Sequence, residues 1–372
     1  MKARLPAKVF VPVSAERADL PRILQIQSPR YVKADPDSGA IAASDIPQIS
    51  NGHFSLEFFL NRRRHAITVA NAMGDNLLPF AAKARFDLAI NTVSCPDMHG
   101  SDLVGIARFL DQKPNVPVIN APRDVMETSR DRLHQRLQGI DGLRVPKIAR
   151  AMIDGPPGVM ANRLCRAALR PPLILRRTGT HTGVSMMRAL DEATLLDALG
   201  RFEQGQSIFA TAFVDYRNDQ GLFNKFRVFF IDGKLHPVVN LFSPHWNVHS
   251  ADRYRLMFVT PELREREERY LAGPQDFLGP AVVDVLHKIA RIVRLDFFGI
   301  DFTVLPSGEV LLFEANAAMR HNFDHAQSFP YTRPNLERIS SAFQQMIRRR
   351  IAGYTDEHFG HNTASARMVK GN

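Results

Sequence analysis

Two cysteines in 372 residues, Cys95 and Cys165, are too few for a disulfide framework. A reducing, cytoplasmic setting is therefore expected. No apolar run approaches the ~20 residues that a membrane helix needs, so no membrane partner is expected. The first twenty residues, MKARLPAKVFVPVSAERADL, lack a sustained apolar core and a small-residue cleavage site. No secretory signal is expected from them. There is no HExxH pattern, and His245 and His249 have no third zinc ligand at motif spacing. There is no GxSxG elbow. Cys95 and Cys165 lie among mixed residues with no paired histidine, and both read as structural.

Lysine and arginine number 48 against 38 acidic residues, a formal charge of +10. The compact basic runs, 62–64 and 348–350, are only three arginines each. Neither lies in an aromatic-basic sheet motif, so nucleic acid is not the expected partner. A basic protein also gathers small anions such as nucleotides and carboxylates. At roughly 100–200 residues per domain, two or three domains are expected.

Residues 1–64 read as an N-terminal extension, partly loop, with a short helix at 55–64. Residues 65–147 read as a small parallel α/β domain. Its strands fall at 66–70, 86–91 and 116–120, and its helices at 102–110 and 129–137. A second domain spans 148–352, with one lobe at about 148–210 and another at about 211–352. A strand at 173–176 runs into a small-residue loop, Thr178 to Gly183, and then a helix over 185–199. A strand follows at 207–215. Asp232-Gly233 between the apolar runs 226–231 and 235–242 predicts a hairpin. Helices are expected at 281–293 and 335–351, and residues 353–372 read as a flexible tail.

The informative segment is 296–319, DFFGIDFTVLPSGEVLLFEANAAM. It reads as two strands joined at Ser307-Gly308. With a two-residue loop, Asp301 lies directly opposite Glu314. Asn316, two residues on, shares the face of Glu314. Two opposed carboxylates repel unless a cation sits between them. Oxygen-only ligands from Asp, Glu and Asn suit Mg²⁺, one ion or two, with Mn²⁺ as a substitute. A solvent-exposed acidic hairpin is the alternative. Arg227 sits in an apolar strand and reads as paired or functional, or else as an edge residue that reaches solvent.

This segment resembles the closing motif of the ATP-grasp ligases, of the glutathione synthase and ribosomal-protein glutamate ligase type. The resemblance covers roughly residues 65–350. It implies an α/β grasp fold: a small parallel pre-grasp domain, then a two-lobed ATP-grasp domain with antiparallel sheets. Three other segments fit in order. LILRRTGTHTG at 173–183 resembles the loop over the ATP phosphates, with Gly179, Thr180, His181 and Gly183. ATAFVD at 210–215 resembles the hinge against which adenine packs, with Thr211, Ala212, Phe213 and Val214. NKFRVFFIDG at 224–233 resembles the strand pair whose arginine, here Arg227, faces the reacting group.

The family has lysines where this chain has Arg130 and Arg176. Arg176 and Arg177 cannot both point inward from one strand, and Arg176 is expected inside. Asn316-Ala317-Ala318-Met319 also departs from the Ser/Thr-Pro continuation of the glutathione synthase type. Trp246 and His249 are candidates for a substrate-pocket wall. Arg320 is a candidate for binding a substrate carboxylate, and His321 for deprotonating an amine. A solvated polar turn is the alternative for both.

The activity implied is an ATP- and Mg²⁺-dependent ligase that joins a carboxylate to an amine or thiol through an acylphosphate. The amine substrate is a small molecule or a peptide, and a homo-oligomer stays open. A grasp-type kinase and a nucleotide-binding regulator without turnover are the rivals.

Overall fold

Runs of β-branched and aromatic residues broken by Gly, Pro and Asp give fourteen described strands in three sheets. The computed structural model describes residues 9–12, 20–28, 52–56, 59–60, 63–180, 183, 186–319 and 323–367. By contacts the chain forms two units. One comprises residues 1–94, 99–126 and 337–372; the other comprises residues 95–98 and 127–336.

In the first unit the strands are β1 (Phe10–Pro12), β2 (Arg22–Gln27), β3 (Ala66–Asn71), β4 (Leu88–Asn91) and β5 (Val118–Ile119). The sheet order is β1-β3-β2-β4-β5. β2 to β5 run parallel, and β1 is antiparallel to β3. Ile26, Ala70, Leu88 and Ile90 are fully buried, the pattern of a parallel sheet covered on both faces. Helix α1 (Pro96–Asp111) enters this unit at His99, where its backbone is non-helical, and α2 (Pro122–Met126) follows β5.

The second unit carries two sheets. The first is antiparallel, in the order β7 (Ile148–Met152), β10 (Ser207–Ala212), β8 (Leu173–Arg177), β9 (Met187–Ala189), once α3 (Arg130–Arg136) and β6 (Leu143–Arg144) have been passed. Helices α4 (Pro157–Arg166) and α5 (Glu192–Gly200) share its core through Met160, Leu164, Leu195 and Leu199.

The helix expected over 185–199 is two elements. Met187 pairs with Leu175, and Asp191 caps α5 by accepting a 2.8 Å bond from the Thr194 N–H. Thr194 returns its hydroxyl to the Asp191 N–H at 3.0 Å, so a capping box starts the helix there.

The second sheet is β12 (Lys234–Ser243), β11 (Phe223–Ile231), β13 (Phe297–Val304), β14 (Val310–Asn316), β6. Only β6 runs parallel to its neighbour. α6 (Ser250–Asp252) leads into a π-helical turn, Arg253–Met257. α7 (Pro261–Ala272), α8 (Pro274–Leu278) and α9 (Pro280–Val293) follow, and α10 (Arg333–Arg367) extends past the expected 335–351. No helix among the described residues is long and apolar enough to cross a membrane.

Aromatic pairs fix the register of β11 on β13. Phe226 faces Phe302 with ring centroids 5.4 Å apart, and Phe230 faces Phe298 at 5.5 Å. Arg227 and Asp301, each one residue from this aromatic face, therefore project to the opposite face, where they lie opposite each other. Gly299 lets β13 approach its neighbours: a Cβ there would lie 2.4 Å from Met319 Sδ and 3.0 Å from the Phe229 ring.

The hairpin β13–β14 differs from the expected two-residue loop. Leu305 bonds the Glu309 carbonyl across a three-residue loop, and Gly308 takes φ +85°. The register also shifts between Asp301 and Phe302, because Phe302 pairs with Leu312 and leaves Phe313 as a bulge. The two one-residue changes cancel, and Asp301 pairs with Glu314.

Candidate active site

The second sheet carries a row of charges across three adjacent strands. Arg227 on β11 faces Asp301 on β13, which faces Glu314 on β14. Arg227 donates to both Asp301 oxygens, Nε to Oδ1 at 2.6 Å and Nη2 to Oδ2 at 2.8 Å. Arg130, from α3, continues the row. Its Nη2 lies 2.5 Å from Glu314 Oε1, and its Nη1 donates to the Phe313 carbonyl at 2.9 Å. The bulge at Phe313 is thus held by the same guanidinium that neutralises Glu314. Asn316 Nδ2 donates to Glu314 Oε1 at 2.5 Å, so the expected shared face is present.

Lys225 was not singled out from the sequence, yet it lies in this row. Its Nζ is 3.6 Å from Asp301 Oδ2 and donates to the Val248 carbonyl at 2.8 Å. The signal was available, because Lys225 and Arg227 alternate on one strand face. Burial disfavours the Asp301 carboxylate, but Arg227 and Lys225 outweigh it and hold the group below the usual carboxylate range. Burial also lowers the Lys225 ammonium, partly offset by Asp301. For Arg227, burial acts downward but the Asp301 charge prevails and raises the guanidinium.

Arg176 points inward, as expected, and Arg177 is exposed. Arg176 donates to the Thr180 carbonyl and lies 3.3 Å from its hydroxyl. Its Nε is buried without a hydrogen-bond partner among the described residues. Burial first, and the like charge of Arg130 second, push it down to about 10. A buried guanidinium beside a second one, whose own counter-charge is Glu314, is a candidate place for an anion.

The rest of the expected phosphate loop is described in part. Gly179 has φ +72° and packs on Met98; Gly183 has φ +69° and packs on Asn247 and His249. His181, Arg320 and His321 lie outside the described residues.

Thr211 and Ala212 end β10, and Phe213 and Val214 follow it. Phe213 lies edge-on to Trp246 at 6.2 Å, and the Arg188 guanidinium sits 5.0 Å from the Phe213 ring and 5.7 Å from the Trp246 ring. A hinge candidate and a pocket-wall candidate are thereby one aromatic corner. Tyr216, also missed in the sequence, ties this corner to the hairpin. Its hydroxyl donates to the Trp246 carbonyl at 3.0 Å, and its ring lies 4.9 Å from Phe313. Burial, with Asp301 and Asp215 adding to it, raises the phenol well above its ordinary range.

Cys95 is a free, buried thiol pushed up to about 11 by burial, as befits a structural residue. Cys165 is also free.

The donor chemistry of Asp301, Glu314 and Asn316 fits a hard divalent ion. All are oxygen ligands, two are anionic, and a carboxylate has about four acceptor sites, more than the bonds named here use. No group of three or more His, Cys, Asp or Glu side chains placed to hold a metal ion occurs among the described residues. The trio would thus hold an ion with two carboxylates and an amide, leaving positions for phosphate oxygens and water.

No family description matches the chain, and no curated protein matches it by sequence. Solved structures do match it. The D-alanine–D-alanine ligase from Bacillus anthracis aligns with TM-score 0.51 and 11% identity, over 91% of this chain and 99% of that one. The same enzyme complexed with ATP aligns with TM-score 0.53 and 13% identity, over 90% and 99%. D-alanyl-alanine synthetase A from Vibrio cholerae O1 biovar eltor aligns with TM-score 0.51 and 11% identity, again over 90% and 99%. From the order of its sheets and these alignments along nearly its whole length, the chain has the ATP-grasp fold.

Proposed function

We propose that this chain binds ATP with Mg²⁺, transfers the γ-phosphoryl group to a carboxylate with release of ADP, and joins the acyl group of that acylphosphate to an amine or thiol with release of phosphate. The observation that carries the reading is the row Arg227–Asp301–Glu314–Arg130 on an ATP-grasp fold. It gathers an oxygen donor set and phosphate-binding cations on one sheet face. The solved D-alanine–D-alanine ligase complexed with ATP supports the reading by likeness of fold.

In this reading Arg176, Arg130 and the backbone at Gly179, Thr180 and Gly183 hold the phosphates. Asp301, Glu314 and Asn316 would hold the divalent ion, which supplies positive charge to the transferring phosphoryl oxygens. Arg227 neutralises the acylphosphate and the oxyanion formed when the nucleophile attacks. Phe213, Trp246 and Arg188 form the aromatic wall for the base. The loop ending at Gly183 excludes water, which would otherwise hydrolyse the acylphosphate. Most of the catalysis is positioning and charge stabilisation.

The test is a thermal-shift titration with a non-hydrolysable ATP analogue, with and without Mg²⁺, followed by a screen of acids and amines for ADP release. A ligand at 100 times its Kd stabilises by about 2.7 kcal/mol. The expected result is a Mg²⁺-dependent shift in the wild type that Glu314→Ala abolishes. A folded wild type with no shift, with or without candidate substrates, would remove the reading.

A further inference from the structure

The carboxylates that would hold a divalent ion are already neutralised from within the chain. Asp301 is clasped at both oxygens by Arg227 and faces Lys225. Glu314 is paired with Arg130 and accepts from the Asn316 amide. The Asn316 Oδ1 accepts the Ala318 N–H at 2.7 Å. All these groups belong to one unit. A bare cation arriving here meets carboxylates that carry partners and side chains of its own sign.

The surrounding charge is lopsided. Arg227, Lys225, Arg130 and Arg176 are four cations against the three carboxylates Asp301, Glu314 and Asp97, an excess of one positive charge. Arg176 and Arg130 repel each other, and Arg176 Nε lacks a partner among the described residues. A divalent ion alone raises the excess. A nucleoside triphosphate with its ion brings about two net negative charges, and its phosphate oxygens offer Arg130 a partner in exchange for Glu314.

Resting on the nucleotide reading above, we infer that the Arg130–Glu314 and Arg227–Asp301 pairs cap the metal ligands. The divalent ion then binds only once a polyanionic nucleotide draws the arginine caps away. Arg130 is the exchanging group. It bonds Glu314 and the Phe313 carbonyl before nucleotide binds, and phosphate afterwards. The coupling is reciprocal: nucleotide raises the affinity for the ion by the same factor as the ion raises the affinity for nucleotide. The cap also keeps two opposed carboxylates from repelling each other across the hairpin when no ion is present.

Mn²⁺ is the probe, titrated into the full-length protein without nucleotide and read from the electron paramagnetic resonance signal of the free ion. The wild type is expected to take up none below millimolar concentration. Arg130→Met uncaps Glu314, and Arg130→Met/Arg227→Met uncaps both carboxylates. At least one of these, folded by circular dichroism, is expected to take up one ion about tenfold or more tighter than the wild type. Adding Glu314→Gln is expected to abolish that uptake. Arg130→Lys, which keeps the charge, is expected to exclude the ion as the wild type does.

Separately, equilibrium dialysis of a labelled ATP analogue with Mg²⁺ tests the nucleotide reading. Wild type that binds Mn²⁺ alone in the micromolar range overturns the cap and leaves that reading standing. Folded uncapped variants that stay silent overturn it too. Failure to retain nucleotide even with Mg²⁺ overturns the nucleotide reading, and the proposed exchange with it.

Discussion

Arg227 and Asp301 sit opposite each other on neighbouring strands and share two hydrogen bonds, of 2.6 and 2.8 Å. Both side chains are largely withdrawn from water. Such a pair depends on both partners, because removing one strands a desolvated charge. Asp301→Asn keeps the shape but leaves Arg227 and Lys225 without their shared anion. It is expected to cost about 3 kcal/mol of stability, read as a lower urea midpoint. Arg227→Met/Asp301→Leu removes the whole pair and is expected to recover part of that loss. An unchanged midpoint in Asp301→Asn would mean the pair does not form.

His134, four residues beyond Arg130 on α3, makes acid stability a second test. Its Nδ1 lies 3.4 Å from the Pro146 carbonyl, while its Nε2 is buried without a partner among the described residues. Burial, reinforced by Arg130, pushes the imidazole from 6.5 down to about 4. Between pH 6.5 and 4 the unfolded chain binds a proton that the folded chain refuses. Stability therefore falls as pH falls through that window, by about 3 kcal/mol in total for this group. His134→Leu is expected to flatten that slope in chemical denaturation measured from pH 7 to 4. Parallel slopes in wild type and variant would show that His134 is not held neutral.

How far the sequence revealed this site depends on how local each cause is. The opposition of Asp301 and Glu314 was legible from the turn residues between them. It was reached through a wrong loop length, which a bulge at Phe313 compensates. That bulge is held by Arg130, far away in sequence, so no local pattern announces it. Strand alternation requires that only one of Arg176 and Arg177 point inward, and does not by itself say which. Lys225 was readable by the same rule but was overshadowed by Arg227. Met187–Ala189 reads as helix from local pattern because its pairing with β8 is tertiary, although Asp191 and Thr194 mark the true helix start. The aromatic corner of Phe213, Trp246 and Arg188 joins three separate segments, and only the first two were singled out.

Glu267 gives a third test, away from the charge row. It is fully buried, pairs with the equally buried Arg253, and accepts from the Tyr331 hydroxyl at 2.7 Å and the Asn240 N–H at 2.9 Å. Arg253 opens the π-helical turn, so this one carboxylate ties that turn to β12 and α7. Glu267→Gln leaves Arg253 without its counter-charge and is expected to cost about 3–5 kcal/mol in urea unfolding. Glu267→Leu/Arg253→Met is expected to be less destabilised than either single change. If the double variant loses as much as the two singles added together, the two residues do not act as a pair.

The end of the glycine loop separates backbone strain from contact. Gly183 has φ +69°, and a Cβ there would lie 3.2 Å from Asn247 Oδ1 and 3.3 Å from His249 Nε2. Gly205 has φ +79°, yet a Cβ there meets nothing within 4 Å. Alanine at either position suffers the same left-handed penalty, about 1–2 kcal/mol. Only at Gly183 does it also press on two side chains of the segment that carries Trp246. Gly205→Ala is therefore expected to lower Tm with nucleotide affinity unchanged. Gly183→Ala is expected to weaken nucleotide binding by about tenfold, since about 1.4 kcal/mol of added contact strain is a factor of ten. Gly183→Ala/Asn247→Ala relieves one of the two contacts and is expected to recover part of the affinity in the same calorimetric titration. Equal nucleotide affinity in Gly183→Ala and Gly205→Ala would mean that the contact with Asn247 and His249 plays no part in holding the loop for nucleotide.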